Sequence, residues 1–215
     1  MELSRATLET GLESAALSLL GSMVVSRSAA GVVGVRIVEV EAYGGPPESE
    51  YPDPASHGWR GPTPRSAIMF GGPGHLYVYR SYGIHLCVNV TCLPGRHCGA
   101  VLLRAGEVTV GGEIARRRRG ATVIDHRLAR GPGNLGAALG VSLDDTGVDV
   151  LAPSSRIRIE GEGVTTEIRS GPRVGVSVAT RRAWRWWLAD SPAVSAYRAG
   201  RQVATAARDR QGSDS

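Results

Sequence analysis

Residues 7 to 22 carry apolar side chains at mixed spacings of three and four (Leu8, Leu12, Ala15, Leu19, Leu20), which predicts an amphipathic helix opening the fold. Ser26 to Gly31 breaks it. Val32 to Tyr43 is rich in valine and isoleucine, and its second half alternates Val38 and Val40 with Glu39 and Glu41, the pattern of a strand that ends by delivering Glu41 and Tyr43. From Gly44 to Pro64 glycine and proline are too dense for regular structure, and the connection is long enough to suggest a functional loop.

His75 to Cys92 reads as two strands interrupted near Tyr82 and Gly83, and Gly99 to Val108 reads as another strand, carrying Arg104. Gly111 to Arg119 predicts a short basic helix, and Arg130 to Leu139 a glycine-proline turn followed by a helix. Short strands are expected from Val148 to Ala179, and the cluster Trp184 to Trp187 reads as packing beside an ending strand. The mixed pattern places the chain in the α+β class. The tail from 207 to 215 lacks apolar content and is expected to be disordered, which leaves residues 1–206 as a single domain.

Composition sharpens this picture in three places. The 215 residues carry a formal net charge of +5, a balance that favours nucleic acid or another anionic partner. Every one of the 25 basic side chains is arginine, so no lysine amine exists to act as a nucleophile. Cys87, Cys92 and Cys98 are odd in number and read as reduced, buried thiols. The apolar stretch from 15 to 25 follows Glu9 and Glu13 and is too short to span a bilayer, so no signal peptide or membrane segment is expected and a cytoplasmic location follows. His85, Cys87, Cys92, His97 and Cys98 lack the spacing of a zinc site, and neither a metal nor a cofactor is called for.

Glu39 and Glu41 lie two residues apart on one strand face, and either carboxylate could be the functional one. The segments RIVEVEAYGG at 36–45, RGPTPRSAIMFGGPGHLYVYRSYGIHLCVNV at 60–90, AVLLRAGE at 100–107, ARGPGNLGAALGV at 129–141, GPRVGVSVA at 171–179 and SPAVSAY at 191–197 resemble the alkyladenine (3-methyladenine) DNA glycosylase family across nearly the whole chain. The resemblance implies one compact domain with a curved antiparallel sheet, peripheral helices and a protruding β-hairpin. It selects Glu41 as general base, with Arg104 and the backbone at Val174 completing a water site. Tyr43, His57 and Tyr79 match an aromatic base pocket, and Asn89 the side chain that obstructs guanine's exocyclic amine. Tyr82 matches the DNA-intercalating residue on the hairpin. Gly131, Gly133 and Asn134 match a phosphate-binding turn in which many relatives carry lysine at the position of Asn134.

The function implied is a monofunctional glycosylase, monomeric and acting on double-stranded DNA of a bacterial-type nucleoid. It would flip alkylated or deaminated purines (3-methyladenine, 7-methylguanine, hypoxanthine) and hydrolyse the N-glycosidic bond. Two alternatives stand beside it: a catalytically silent sensor of damaged DNA, and a glycosylase specialised for a bulky lesion. Arg116 to Arg119, Arg181, Arg182 and Arg185 are further candidates for phosphate contacts.

Overall fold

A computed structural model describes residues 3–161, 164 and 166–200. The expected tail therefore lies outside the described residues. Two short helices open the chain, α1 (Arg5–Glu9) and α2 (Leu12–Leu19), where the periodicity predicts one. Gly11 divides them: its φ of 147° cannot belong to a right-handed helix, and the apolar spacing runs across the break because both helices bury one face on the same core.

β1 (Met23–Ser28) and β2 (Gly31–Tyr43) follow as an antiparallel pair. The stretch from Ser26 that reads as a break is the end of β1 and its turn. Its polar side chains are compatible with a strand because β1 is paired on both sides, by β2 and by β7 (Ile157–Glu160). β3 (Leu76–Ser81) and β4 (His85–Thr91) form the expected hairpin, and β5 (Ala100–Val110) joins β4 to β2. One antiparallel sheet results, in the order β3-β4-β5-β2-β1-β7, and it curls as an open half-barrel. The two-residue β6 (Ala129–Arg130) adds to β5. Between Val148 and Ala179 the described residues form only β7 and β8 (Ile168–Gly171). The tryptophan cluster is itself a strand, β9 (Arg185–Leu188), pairing with β8 and with Glu39 to Glu41 of β2.

That last pairing matters for the site. β5 covers one edge of β2 along most of its length, so the other edge is divided, with β1 taking Gly31 to Arg36 and β9 taking Glu39 to Glu41. The backbone under both glutamates is thus hydrogen-bonded on both sides. Most buried apolar residues form one core beneath the sheet, and a second, smaller cluster of Met69, Tyr77, Cys98 and Ala100 lies under Tyr43 and Tyr79.

The helices α3 (Gly112–Arg119) and α4 (Pro132–Leu139) sit where the sequence predicts them. α3 engages three of its four arginines within the fold, leaving Arg117 exposed. Arg116 pairs with Glu113 and Asp125, Arg118 donates to the Ala138 carbonyl and Ser28, and Arg119 to the Leu128 carbonyl. α4 lies against β4 so closely that a methyl group at Gly136 would come within 2.2 Å of the Leu86 carbonyl oxygen. Neither backbone can yield, so Gly136→Ala should destabilise the protein by about 2–3 kcal/mol. Chemical denaturation would show this as a lower midpoint at unchanged slope; an unaltered midpoint would mean that the helix seats elsewhere.

Candidate active site

Between β2 and β5 the register shifts three times, between Gly34 and Val35, between Ile37 and Glu39, and between Glu39 and Val40. Glu39 faces Ala105 while Val40 faces Leu103, so Arg104 is the extra residue of a bulge in β5. A bulge re-aims the side chain it carries. Here the guanidinium reaches both carboxylates: Nε donates to Glu39 at 3.1 Å and one terminal nitrogen to Glu41 at 3.2 Å. Burial alone would disfavour its charge, but Glu41 and Glu39 outweigh that and hold the arginine firmly protonated.

The two glutamates, equivalent in sequence, differ in surroundings. Glu39 accepts from Arg104, from Arg185 at 2.6 Å, and from both the hydroxyl and the backbone N–H of Ser195. Four donors hold it, three on one oxygen and one on the other, and it serves as the anchor that ties β9 and the chain after Ser191 to the sheet. Glu41 accepts three: the Tyr43 hydroxyl at 2.8 Å and Arg104 on one oxygen, and the Val174 N–H at 2.6 Å on the other. A carboxylate has about four acceptor positions, so one, on the oxygen facing Val174, receives no donor among the described residues. Glu41 is wholly shielded, yet its donors Tyr43, Arg104 and Val174 all line a cavity of about 760 Å³. The carboxylate therefore stands directly behind the cavity wall.

That wall is aromatic. His57 packs edge-on against Tyr79, with ring centres 4.7 Å apart, and its Nδ1 meets the Tyr77 hydroxyl at 2.9 Å. Desolvation among these rings, together with the nearby Arg65, pushes His57 down to about 4, so the ring is neutral at ordinary pH. Tyr43 is kept protonated by burial and by Glu41, which fixes its hydroxyl as a donor. Asn89 belongs to the middle of β4 and lines the same cavity, its amide held by the Tyr77 carbonyl at 3.0 Å.

Tyr82 stands at the cavity rim, 92% exposed, with φ of 49° followed by Gly83 at 73°. These values make a tight hairpin turn closed by the Ile84 N–H on the Ser81 carbonyl. A left-handed tyrosine costs about 1–2 kcal/mol, and here it holds a large apolar ring out in water. Gly131, Gly133 and Asn134 flank Pro132, which lines the cavity at the start of α4; the Asn134 amide is engaged by the Arg130 carbonyl at 2.7 Å, and Gly133 abuts the His85 ring.

Several functional side chains escape a reading of the sequence. Arg173 and Asp53 form a fully buried two-pronged ion pair at 2.6 and 2.8 Å, which joins the 44–64 loop to the loop bearing Val174. Arg173 also covers one face of the Tyr43 ring at 4.6 Å. Asp53 does show a local sign, since its carboxylate caps the Ala55 N–H in a tight turn, but nothing in the sequence pairs it with a residue 120 positions on. Tyr77 and Arg65 likewise become visible only once the hairpin and the loop meet. Of the arginines proposed for phosphate, Arg185 is buried on Glu39 and Arg182 is bonded to the Pro52 carbonyl, because buried acceptors compete for them more strongly than solvent. The three cysteines are free and buried, and burial raises each thiol, Cys98 to about 12. No helix among the described residues is long and apolar enough to cross a membrane.

Comparison with known proteins places this arrangement among relatives. The chain is 55% identical over 186 residues to a protein of Nocardia farcinica, covering 86% of each. It is 52% identical to proteins of Mycolicibacterium fortuitum, over 86% of this chain and 92% of the relative, and of Mycobacterium tuberculosis H37Rv, over 86% and 88%. All three carry the provisional name 3-methyladenine DNA glycosylase. The family model described as methylpurine-DNA glycosylase matches residues 6–192, so the chain belongs to the methylpurine-DNA glycosylase family.

Proposed function

We propose that the protein is a monofunctional glycosylase that captures a flipped alkylated or deaminated purine and hydrolyses its bond to deoxyribose. The observation that carries this reading is Glu41: a shielded carboxylate with three donors, one open lone pair and an aromatic cavity beside it. Tyr43, His57 and Tyr79 supply ring faces for the base, a contact worth roughly 1–3 kcal/mol per base, and Asn89 narrows the pocket against guanine's amine. Tyr82 fills the gap left in the duplex, which explains why a strained turn holds its ring in solvent. The backbone amides of Gly131 and Gly133 at the start of α4 suit a phosphate. Asn134, its amide already engaged, leaves that contact to the backbone.

In the reaction a water held by Glu41, Arg104 and the backbone at Val174 gives its proton to Glu41 as its oxygen bonds to C1′. The bond from C1′ to the purine nitrogen breaks, and its electron pair leaves with the base. The products are a free purine and an abasic site. Arg104 and the Val174 N–H hold the carboxylate in place, and the protein acts as a monomer on one lesion.

Glu41→Gln keeps the shape but loses the base, so single-turnover release of hypoxanthine or a methylated purine should fall about 10²–10⁴-fold while lesion affinity is retained. Wild-type protein that binds lesions tightly and releases nothing would instead identify a damage sensor. Tyr82→Ala should weaken binding to lesion duplexes by about 10-fold or more, with little effect on thermal stability because the ring touches solvent. Since the chain has no lysine, borohydride should trap no covalent adduct with DNA; a rapidly formed adduct would reveal an imine and refute purely hydrolytic chemistry.

A further inference from the structure

Charge inside the site is balanced pair by pair. The buried carboxylates Glu39, Glu41 and Asp53 are met by the buried guanidiniums of Arg104, Arg185 and Arg173. Arg65 stands outside this balance. It has no ion-pair partner among the described residues, and although solvent-exposed it lies against the pocket's aromatic wall: its guanidinium lies 5.0 Å from the centre of the Tyr79 ring and 3.4 Å from His57 Nε2. Arg80 and Arg198 also line the cavity, but Arg80 reaches back to its own hairpin at the Gly83 carbonyl. Arg65 is the cation held against the rings proposed to grip the base.

We infer that Arg65 sets substrate choice, favouring release of neutral purines such as hypoxanthine over capture of cationic ones such as 7-methylguanine. The inference rests on the proposed glycosylase reading and follows from where electrons go when the bond breaks. A neutral purine leaves with the electron pair of the bond and becomes negatively charged before it takes a proton from water. A guanidinium positioned beside it stabilises that charge. A cationic purine becomes neutral on leaving and gains less from Arg65, while its positive charge is repelled during capture. Burial first and Arg65 second lower His57, and Arg65 counters the burial-driven rise of Tyr77.

The test is single-turnover release from otherwise identical duplexes bearing hypoxanthine or 7-methylguanine, with maximal rate and half-saturating protein concentration measured separately. Arg65→Gln keeps a donor for His57 but not the charge, and Arg65→Lys keeps the charge. Arg65→Gln should slow maximal hypoxanthine release about tenfold and leave the maximal rate for 7-methylguanine nearly unchanged with a lower half-saturating concentration, while Arg65→Lys stays close to wild type for both. An equal loss on both lesions, as a phosphate contact would give, overturns the inference, and so does a lysine variant as impaired as the glutamine one. If wild-type protein releases both bases and the ratio does not move in Arg65→Gln, this inference alone fails; if it releases neither, the glycosylase reading fails with it.

Discussion

The shared guanidinium of Arg104 is the contact on which the site's construction turns. Burying an ionised carboxylate costs several kcal/mol even after relaxation, and this protein buries Glu39 and Glu41 two residues apart on one strand. Like charges this close repel unless cations stand between them. Arg104 reaches both because the bulge in β5 displaces it from ordinary pairing, and Arg185 on β9 supplies the second positive charge. Two carboxylates against two guanidiniums leave the cluster neutral in sum but uneven in detail. Glu39 takes most of the donors, and Glu41 keeps an acceptor position unused.

The same logic explains how distant loops are brought to the site. The long connection from Gly44 to Pro64 and the loop around Val174 contain almost no regular structure, and their backbones need some other reason to be fixed. The Asp53–Arg173 pair provides it, and its complete burial makes it intolerant of losing one partner, since that would strand a charge away from water. Arg173 then continues into the site by covering Tyr43, whose hydroxyl meets Glu41. Loop closure, the aromatic wall and the carboxylate form one mechanical chain of contacts.

Much of this was legible in the sequence, and the limits are physical. Periodicity and glycine placement disclosed β2, the β3–β4 hairpin, β5, α3 and α4, because each has a face that must be buried or a turn that needs a special residue. The single helix expected over residues 7–22 became two because spacing reports which face is buried and is blind to one residue's φ at Gly11. β1 was hidden because its polar residues are tolerated by pairing on both edges, which is tertiary information. For the site, alternation placed Glu39 and Glu41 on one face but could not separate them. What distinguishes them is which donors each receives, and Arg185 and Ser195, which hold Glu39 and are not among the residues lining the cavity, are about 150 residues away in sequence.

Net charge illustrates the same point from the opposite direction. An arginine-only basic complement suggests a surface spread with phosphate contacts, yet the conspicuous run from 116 to 119 is largely turned to holding α3 against its neighbours, and Arg104, Arg173 and Arg185 neutralise buried acids. Guanidinium suits those tasks: it stays charged when buried and presents several donors in a plane, where an ammonium would lose its proton or leave acceptors unmet. A chain without lysine is therefore well equipped to build a charge-balanced site. Arginines outside these pairs, among them the exposed Arg27, Arg60, Arg117 and Arg181 as well as those lining the cavity, are the ones free to meet a polyanion. In such a protein the positions of the unpaired guanidiniums, rather than the sum of charges, decide what the pocket admits.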